Sequence, residues 1–256
     1  MFLFRFLVRG WVGRILSLAV VLVVAAGAGW WFFIREDKSL ATSAPVIPAS
    51  VAQGSAQGAG AGASAAAGTA TTPASVPAGV TIYKIVATQS DAAYFAGEKL
   101  ASLPLPSTAE GKTQDISGEF ALGPGGLDLS HTSAFTVQLT TLKSDKDMRD
   151  QRVQRTLNTA QYPTTTFTAT KLTGWPAAFP EGTEVPLQLS GTLDLHGVKK
   201  EVTWTVKAKK QGAGFSLLAT VTFPYTDFSI SKPNIAGFVT VDDTVTLQVQ
   251  IVAQAV

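Results

Sequence analysis

Hydrophobic and polar residues alternate with a period of two along most of residues 81–256. One clear example is Val202, Trp204, Val206 and Ala208, which are separated by Thr203, Thr205 and Lys207. Successive side chains of a β-strand point to opposite faces, so this pattern predicts one apolar face and one solvated face. About eight such segments, separated by short turns, predict an all-β antiparallel domain.

The apolar positions of these segments are the predicted inner face. They include the large side chains Tyr94, Phe120, Phe135, Leu139, Phe167, Trp204 and Phe223. Alternation alone leaves two architectures open, a closed barrel and a β-sandwich. A barrel would arrange these side chains around a lumen, whereas a sandwich would pack them into a solid core.

One polar stretch, from Asp145 to about Thr159, predicts a helix between two strands. Ser144 or Asp145 can cap its N-terminus, and a proline follows its end. Arg149 and Asp150 offer two interpretations. They can tie the helix to the strands, or Arg149 can present a cation to an anionic head group.

The first 80 residues are predicted to form three parts that precede the domain at 81–256. Residues 1–14 contain three arginines and form a cytoplasmic N-terminus, and residues 15–34 contain no charge and are long enough for a transmembrane helix. Residues 35–80 are rich in Ala, Gly, Ser and Pro and predict a disordered linker. The arginine bias places the domain outside the cytoplasm. A signal peptide cleaved near Ala26–Ala28 is the alternative, and it also exports the domain.

Charge and composition exclude several function classes. Residues 1–80 carry a net charge of +3 and residues 81–256 a net charge of −1, so the domain lacks the basic field of a nucleic-acid-binding protein. The chain has no cysteine and only two histidines, His131 and His196. We therefore expect no catalytic triad, no metal site, no cofactor and no enzymatic activity.

Several motifs across the domain resemble the YceI-like, polyisoprenoid-binding family. They are Ser90-Asp91-Ala92-Ala93-Tyr94 with Glu98, Ile116-Ser117-Gly118, Leu142-Lys143-Ser144-Asp145 with Arg149-Asp150, Tyr162-Pro163 followed by three threonines and Phe167, the segment Leu189 to Lys200, Asp227-Phe228-Ser229-Ile230 and Val241-Asp242-Asp243. About 170 residues match in consistent order, and the segment from Leu189 to Lys200 is the most specific.

The resemblance implies an eight-stranded, lipocalin-like antiparallel barrel with one helix, which holds a long isoprenoid chain in its lumen. Together with the N-terminal pattern, it predicts a membrane-tethered binding protein in the periplasm or at the cell exterior. The expected ligand contacts are Tyr94, Phe120, Phe135, Leu139, Arg149, Phe167, Trp204 and Phe223. The expected partners are an isoprenoid or other long-chain amphiphilic lipid, the membrane through residues 15–34, and a second copy in a homodimer. A solid-core scaffold or adhesion domain without a ligand is the alternative function.

Overall fold

The structure is a computed structural model that describes residues 38–54, 77–100, 106–232, 234–235 and 239–256. The predicted cytoplasmic N-terminus, the predicted transmembrane helix at 15–34 and residues 55–76 of the predicted linker lie outside these ranges. Among the helices that the structure does describe, none has both the length and the apolar character needed to cross a membrane.

The described elements are mostly strands. In chain order they are helix α1 (Ala49–Ala52), strands β1 (Thr81–Ile85), β2 (Asp91–Leu100), β3 (Pro106–Thr113), β4 (Ile116–Gly123), β5 (Gly126–Leu127) and β6 (Ala134–Gln138), helix α2 (Asp147–Thr156), and strands β7 (Thr164–Thr173), β8 (Val185–Leu195), β9 (Val198–Gln211), β10 (Gly214–Pro224), β11 (Asn234–Ile235) and β12 (Val239–Ala255). Two 3₁₀ turns, Ala87–Gln89 and Tyr225–Phe228, complete the set.

Eight of the described strands close into an antiparallel barrel. Their order is β1-β4-β6-β7-β8-β9-β10-β12, and β12 pairs back onto β1 with Tyr83 opposite Ala255. The prediction of an eight-stranded antiparallel barrel with one helix packed on it is therefore confirmed, and the sandwich is excluded. Closure gives each of the eight strands a neighbour on both sides and leaves an interior for side chains or one small ligand.

The β2–β3 hairpin adds two strands to the barrel wall, next to the part of β12 that does not pair with β1. It pairs with the N-terminal part of β12, with Tyr94 opposite both Leu247 and Gly111. Within the described residues, β3 pairs only with β2, apart from one bridge between Lys112 and Lys143. This leaves the wall unpaired on one side at this end of the barrel, where α2 lies.

The alternation read from the sequence sets the direction of the side chains. On β9, Trp204, Val206 and Ala208 are buried, while Thr205 and Lys207 between them are exposed. The hairpin between β8 and β9 turns at His196 and Gly197, which have φ angles of 56° and 74°. Such left-handed conformations are typical of two-residue hairpin turns.

Residues 39–54 pack against the outside of the barrel, although the sequence placed them in a disordered linker. They belong to the same compact unit as the barrel. We call residues 39–54 the strap. Its Ile47 and Val51 are 4% and 6% exposed and contact Val252 on the outer face of β12. Apolar burial thus orders a segment whose overall composition predicted disorder.

Hydrogen bonds fix the strap along its length. The side-chain amide of Gln248 bonds both backbone groups of Ala41, at 2.8 and 3.1 Å. Farther along, the N–H of Ala213 donates to the carbonyl of Ala52 at 2.9 Å. At Gly214 a Cβ would overlap the Ile47 side chain, so glycine is needed for this close approach.

Helix α2 is shorter than predicted, and its N-cap position is Lys146, which makes no side-chain capping bond. Ser144 uses its hydroxyl and its N–H to bond the carboxylate of Asp150 instead, at 2.6 and 2.8 Å. The predicted cap therefore fastens the segment before the helix to the first turns of the helix. Helix α2 covers the barrel end beside β3.

Candidate functional site

A cavity of about 290 Å³ occupies the barrel interior at the end covered by α2. We call it the upper chamber. Most of its lining is apolar and comes from the inward positions of the strands and one face of α2. Six of the eight predicted ligand contacts line it, namely Tyr94, Phe135, Leu139, Arg149, Trp204 and Phe223.

Three aromatic rings form the floor of the upper chamber. Phe135, Phe167 and Trp204 lie with ring centroids 5.4 to 6.1 Å apart, and two of the three contacts are edge-to-face. Phe135 also lines a second cavity of about 60 Å³ beyond the floor, together with Phe167. This aromatic floor therefore separates the two cavities.

Apart from this small second cavity, the end of the barrel beyond the floor is filled by side chains. Phe215 contacts the rings of Tyr83, Phe120 and Phe179 at centroid distances of 5.4 to 5.7 Å, and Trp175 stacks on it at 6.3 Å. Phe120 lies at this end, and Phe167 is the ring of the floor that faces the second cavity, so these two predicted ligand contacts do not line the upper chamber. The predicted inner face contains both groups because alternation gives the face of a residue and not its depth.

Arg149 ties α2 to the barrel at the mouth of the upper chamber. Its guanidinium lies 3.3 Å from a carboxylate oxygen of Glu98 on β2 and also bonds Asp145. Burial alone would lower the pKa of Arg149, but the two carboxylates outweigh burial and raise it. Of the two sequence interpretations, this geometry favours the tie.

Two further cations line the upper chamber near its mouth, Lys146 and Arg152. The carboxylate of Asp145 lies 3.8 Å from Lys146 Nζ, whereas Arg152 has no ion pair with any residue in the described ranges. Met148, on the same helix, also lines the chamber and is 77% exposed. The mouth therefore combines an exposed apolar side chain with positive charge.

Tyr94 reaches into the upper chamber because β3 has a glycine opposite it. A Cβ at Gly111 would overlap the Tyr94 ring, so only glycine leaves space for this rotamer. The Tyr94 hydroxyl is buried without a hydrogen-bond partner, and so is the indole Nε1 of Trp204. Burial raises the pKa of the Tyr94 hydroxyl well above its ordinary value, which keeps it protonated at neutral pH.

Neither histidine lines the upper chamber, and the two contact different partners. His131 contacts Glu119 at 2.8 Å, and His196 Nδ1 lies 3.1 Å from the carbonyl of Phe228. The described residues include no group of three or more His, Cys, Asp or Glu side chains placed to hold a metal ion. The absence of catalysis and of a cofactor stays an expectation.

Small inward residues, which the sequence reasoning did not count as site residues, give the chamber its space. Ala92 and Ala96 on β2 and Ala109 on β3 all line the cavity and are buried. Alanine at the inward positions on both sides of Tyr94, where other strands have Val, Leu or Phe, is the signal that could have located the chamber at this end of the barrel.

Comparison with known proteins agrees with this geometry. Residues 83–253 match the model of the YceI-like domain family, whereas no curated protein matches the chain significantly. A polyisoprenoid binding domain from Saccharophagus degradans, implicated in plant cell wall breakdown, shares the fold with a TM-score of 0.54 and 20% identity, covering 68% of this chain and 98% of its own. Burkholderia cenocepacia BcnA does so with a TM-score of 0.51 and 17% identity, covering 66% of this chain and 99% of its own. The family match spans most of the barrel, from its first strand to its last, and the chain belongs to the YceI-like family.

Proposed function

We propose that this protein binds an isoprenoid-type lipid and holds part of its apolar chain in the upper chamber. The observation that carries the proposal is a buried, largely apolar cavity that opens beside charged residues at one end of a closed barrel. Each methylene buried there contributes about 0.8 kcal/mol. The polyisoprenoid binding domain with the same fold supports the choice of ligand class.

The volume of the chamber limits how much of a ligand it holds. About 290 Å³ is near the lower end of the range of small-molecule pockets, which begins at about 300 Å³. A long prenyl chain therefore leaves part of its length at the mouth, among Met148, Arg152 and Lys146, or moves the aromatic floor. The polar mouth suits a head group that remains in water.

The same proposal places the barrel outside the cytoplasm, tethered by residues 15–34. The uncharged stretch of 20 residues and the arginines before it support this location. Storage, transport or protection of a membrane lipid would follow from such a position. Homodimer formation stays a prediction, which light scattering of the purified protein checks.

Purification of the full chain from membranes and native mass spectrometry test the proposal. We expect the protein in the membrane fraction with a lipid mass that survives removal of detergent, and lipid extraction identifies it. A protein with no bound lipid that also fails to take up an added prenyl lipid would contradict the proposal. In that case a scaffold or adhesion domain without a ligand is the better description.

A matched pair of substitutions locates the ligand. Phe135→Trp adds volume at the floor of the upper chamber, so we expect prenyl-lipid affinity to fall about ten-fold or more through steric exclusion, with a stability loss of about 1–3 kcal/mol. Phe120→Trp makes the same change in the filled end and should leave affinity within about two-fold. Equal effects of the two variants on affinity would place the ligand elsewhere.

A further inference from the structure

One side of α2, beside the mouth of the upper chamber, presents an apolar side chain together with positive charges. Met148, Arg152 and Arg155 follow one another at spacings of four and three residues, so they lie on one side of the helix. Met148 is 77% exposed, Arg155 is exposed, and Arg152 is half-buried and lines the chamber as Met148 does. We call these three residues the portal face.

The opposite side of α2 holds the helix on the barrel and so sets the direction of the portal face. Val153 and, just past the helix, Leu157 pack against the core. The side-chain amide of Gln154 donates to the carbonyl of Leu139 at 2.9 Å, and Asp150 is buried on this side as well. The portal face is therefore turned away from the barrel.

Positive charge is concentrated in this part of the domain. Residues 143–156 contain five basic and three acidic side chains, whereas the rest of residues 81–256 contains ten basic and thirteen acidic ones, a net charge of −3. Three of the five cations pair with carboxylates, namely Lys143, Lys146 and Arg149. Arg152 and Arg155 form no ion pair within the described ranges, so their charge is available to a partner outside the barrel.

We propose that the portal face docks on an anionic lipid bilayer, with the two arginines among the head-group phosphates and Met148 reaching the acyl boundary. Cations combined with an exposed apolar side chain on one helix face are typical of helices that lie in a membrane interface. The same surface repels the negatively charged remainder of the domain, so charge selects this end of the barrel. The contact goes beyond the proposed lipid binding, because it names the surface from which the chamber would take its ligand.

A fluorescent label on the portal face tests the docking directly. The chain has no cysteine, so a single introduced one is labelled alone. Met148→Cys carries the environment-sensitive dye nitrobenzoxadiazole to the portal face, and Leu129→Cys carries it to a control position between β5 and β6 that is 69% exposed. The full chain is mixed or reconstituted with vesicles of phosphatidylcholine, with or without phosphatidylglycerol.

We expect the label at position 148 to shift its emission to the blue and to be quenched by nitroxide-labelled lipid when phosphatidylglycerol is present. The label at position 129 should keep the emission that it has in water. Both signals report contact between the label and the bilayer, whether or not the chain is also anchored by residues 15–34. Two fluorescence lifetimes at position 148 give the ratio of docked to undocked molecules.

Two charge-matched double variants isolate the arginines. Arg152→Gln with Arg155→Gln removes two positive charges from the portal face, and Lys84→Gln with Lys171→Gln removes two from exposed positions that do not line the upper chamber. One basic residue near an anionic bilayer favours the bound state about five-fold. The first pair should therefore lower the docked-to-undocked ratio roughly 10- to 30-fold, and the second pair less than about two-fold.

Two results would overturn the inference. The label at position 148 stays as exposed to water as the label at position 129 in both kinds of vesicle, or the two double variants dock equally well. Either result leaves the proposed lipid binding intact, because native mass spectrometry measures that separately. A docked label on a chain that neither carries nor takes up lipid would overturn the proposed function alone.

Discussion

Asp150 shows how one buried carboxylate can organise the mouth of the barrel. It accepts hydrogen bonds from the N–H and the hydroxyl of Ser144, and Lys143 Nζ lies 3.5 Å from its second oxygen. Burial would raise the pKa of Asp150, but these hydrogen bonds and the lysine charge outweigh burial and lower it below its ordinary value. The charged form therefore stabilises the fold.

This lowered pKa predicts a loss of stability in acid. The ordinary aspartate pKa is about 3.9, so the contribution of Asp150 is fully present above that pH and disappears as pH falls through the lower value in the folded state. We expect Asp150→Asn to reduce the free energy of unfolding by about 1–3 kcal/mol at pH 7. The difference from wild type should shrink at pH 3, and urea unfolding at both pH values measures it.

Asp147 is the control for this experiment, since it lies exposed on the same helix. Asp147→Asn should change stability by no more than about 0.5 kcal/mol at either pH. A stability difference for Asp150→Asn that stays the same at pH 7 and pH 3 would mean that its charge is not what stabilises the mouth.

At the scale of elements, the strap is the part of the fold that the amino-acid composition did not predict. The sequence contains an exception to the alternation, because Val252 on β12, which contacts Ile47 and Val51, and Leu218 on β10 are buried apolar residues at outward positions. They interrupt the alternation in two neighbouring strands. An apolar residue at an outward position of each of two paired strands indicates that another segment covers the sheet there.

Two valines of the strap test whether it stabilises the barrel. Val51 is 6% exposed and Val46 is 82% exposed. We expect Val51→Ala to lower the free energy of unfolding by about 1.5 kcal/mol, since it removes two buried carbon atoms. Val46→Ala should change it by less than about 0.5 kcal/mol. Equal and small effects in thermal unfolding would show that the strap is held only loosely.

The sequence predicted strands and faces well and predicted depth poorly. The inward direction of Trp204 and Phe135 followed from a period of two, as did that of Phe120. Position along the barrel axis depends on register between strands, which pairs Phe135 with Phe167 and places Phe120 beside Tyr83. Register comes from contacts between distant parts of the chain, so a local pattern could not separate the chamber from the filled end.

At the scale of the whole molecule, closure of the barrel depends on the pairing of its first and last strands. Residues of β1 pair with Ala253 to Ala255, about 170 positions later in the chain. Contacts between such distant residues slow folding, because the loop that they close must be ordered first. Until they form, β1 and β12 each have an unpaired edge.

Removal of residues 253–256 should therefore impair folding of the whole barrel, although it deletes few contacts. We expect a chain that ends at Val252 to aggregate when diluted from urea, since its open edges can pair between molecules. A chain that lacks only Val256, which is 78% exposed, should refold as the intact protein does. Light scattering during refolding measures both, and equal recovery would show that the barrel closes without the final pairs.

Synthesis on the ribosome separates the two strands of this pairing in time. A ribosome makes β1 first and β12 last, and every nascent chain therefore spends its elongation without an enclosed chamber. A chain that loses residues 253–255 by premature termination or by proteolysis loses the β1–β12 pairing and, with it, the enclosure of the barrel. The pairing of residues 253–255 with β1 is thereby a precondition for an enclosed chamber.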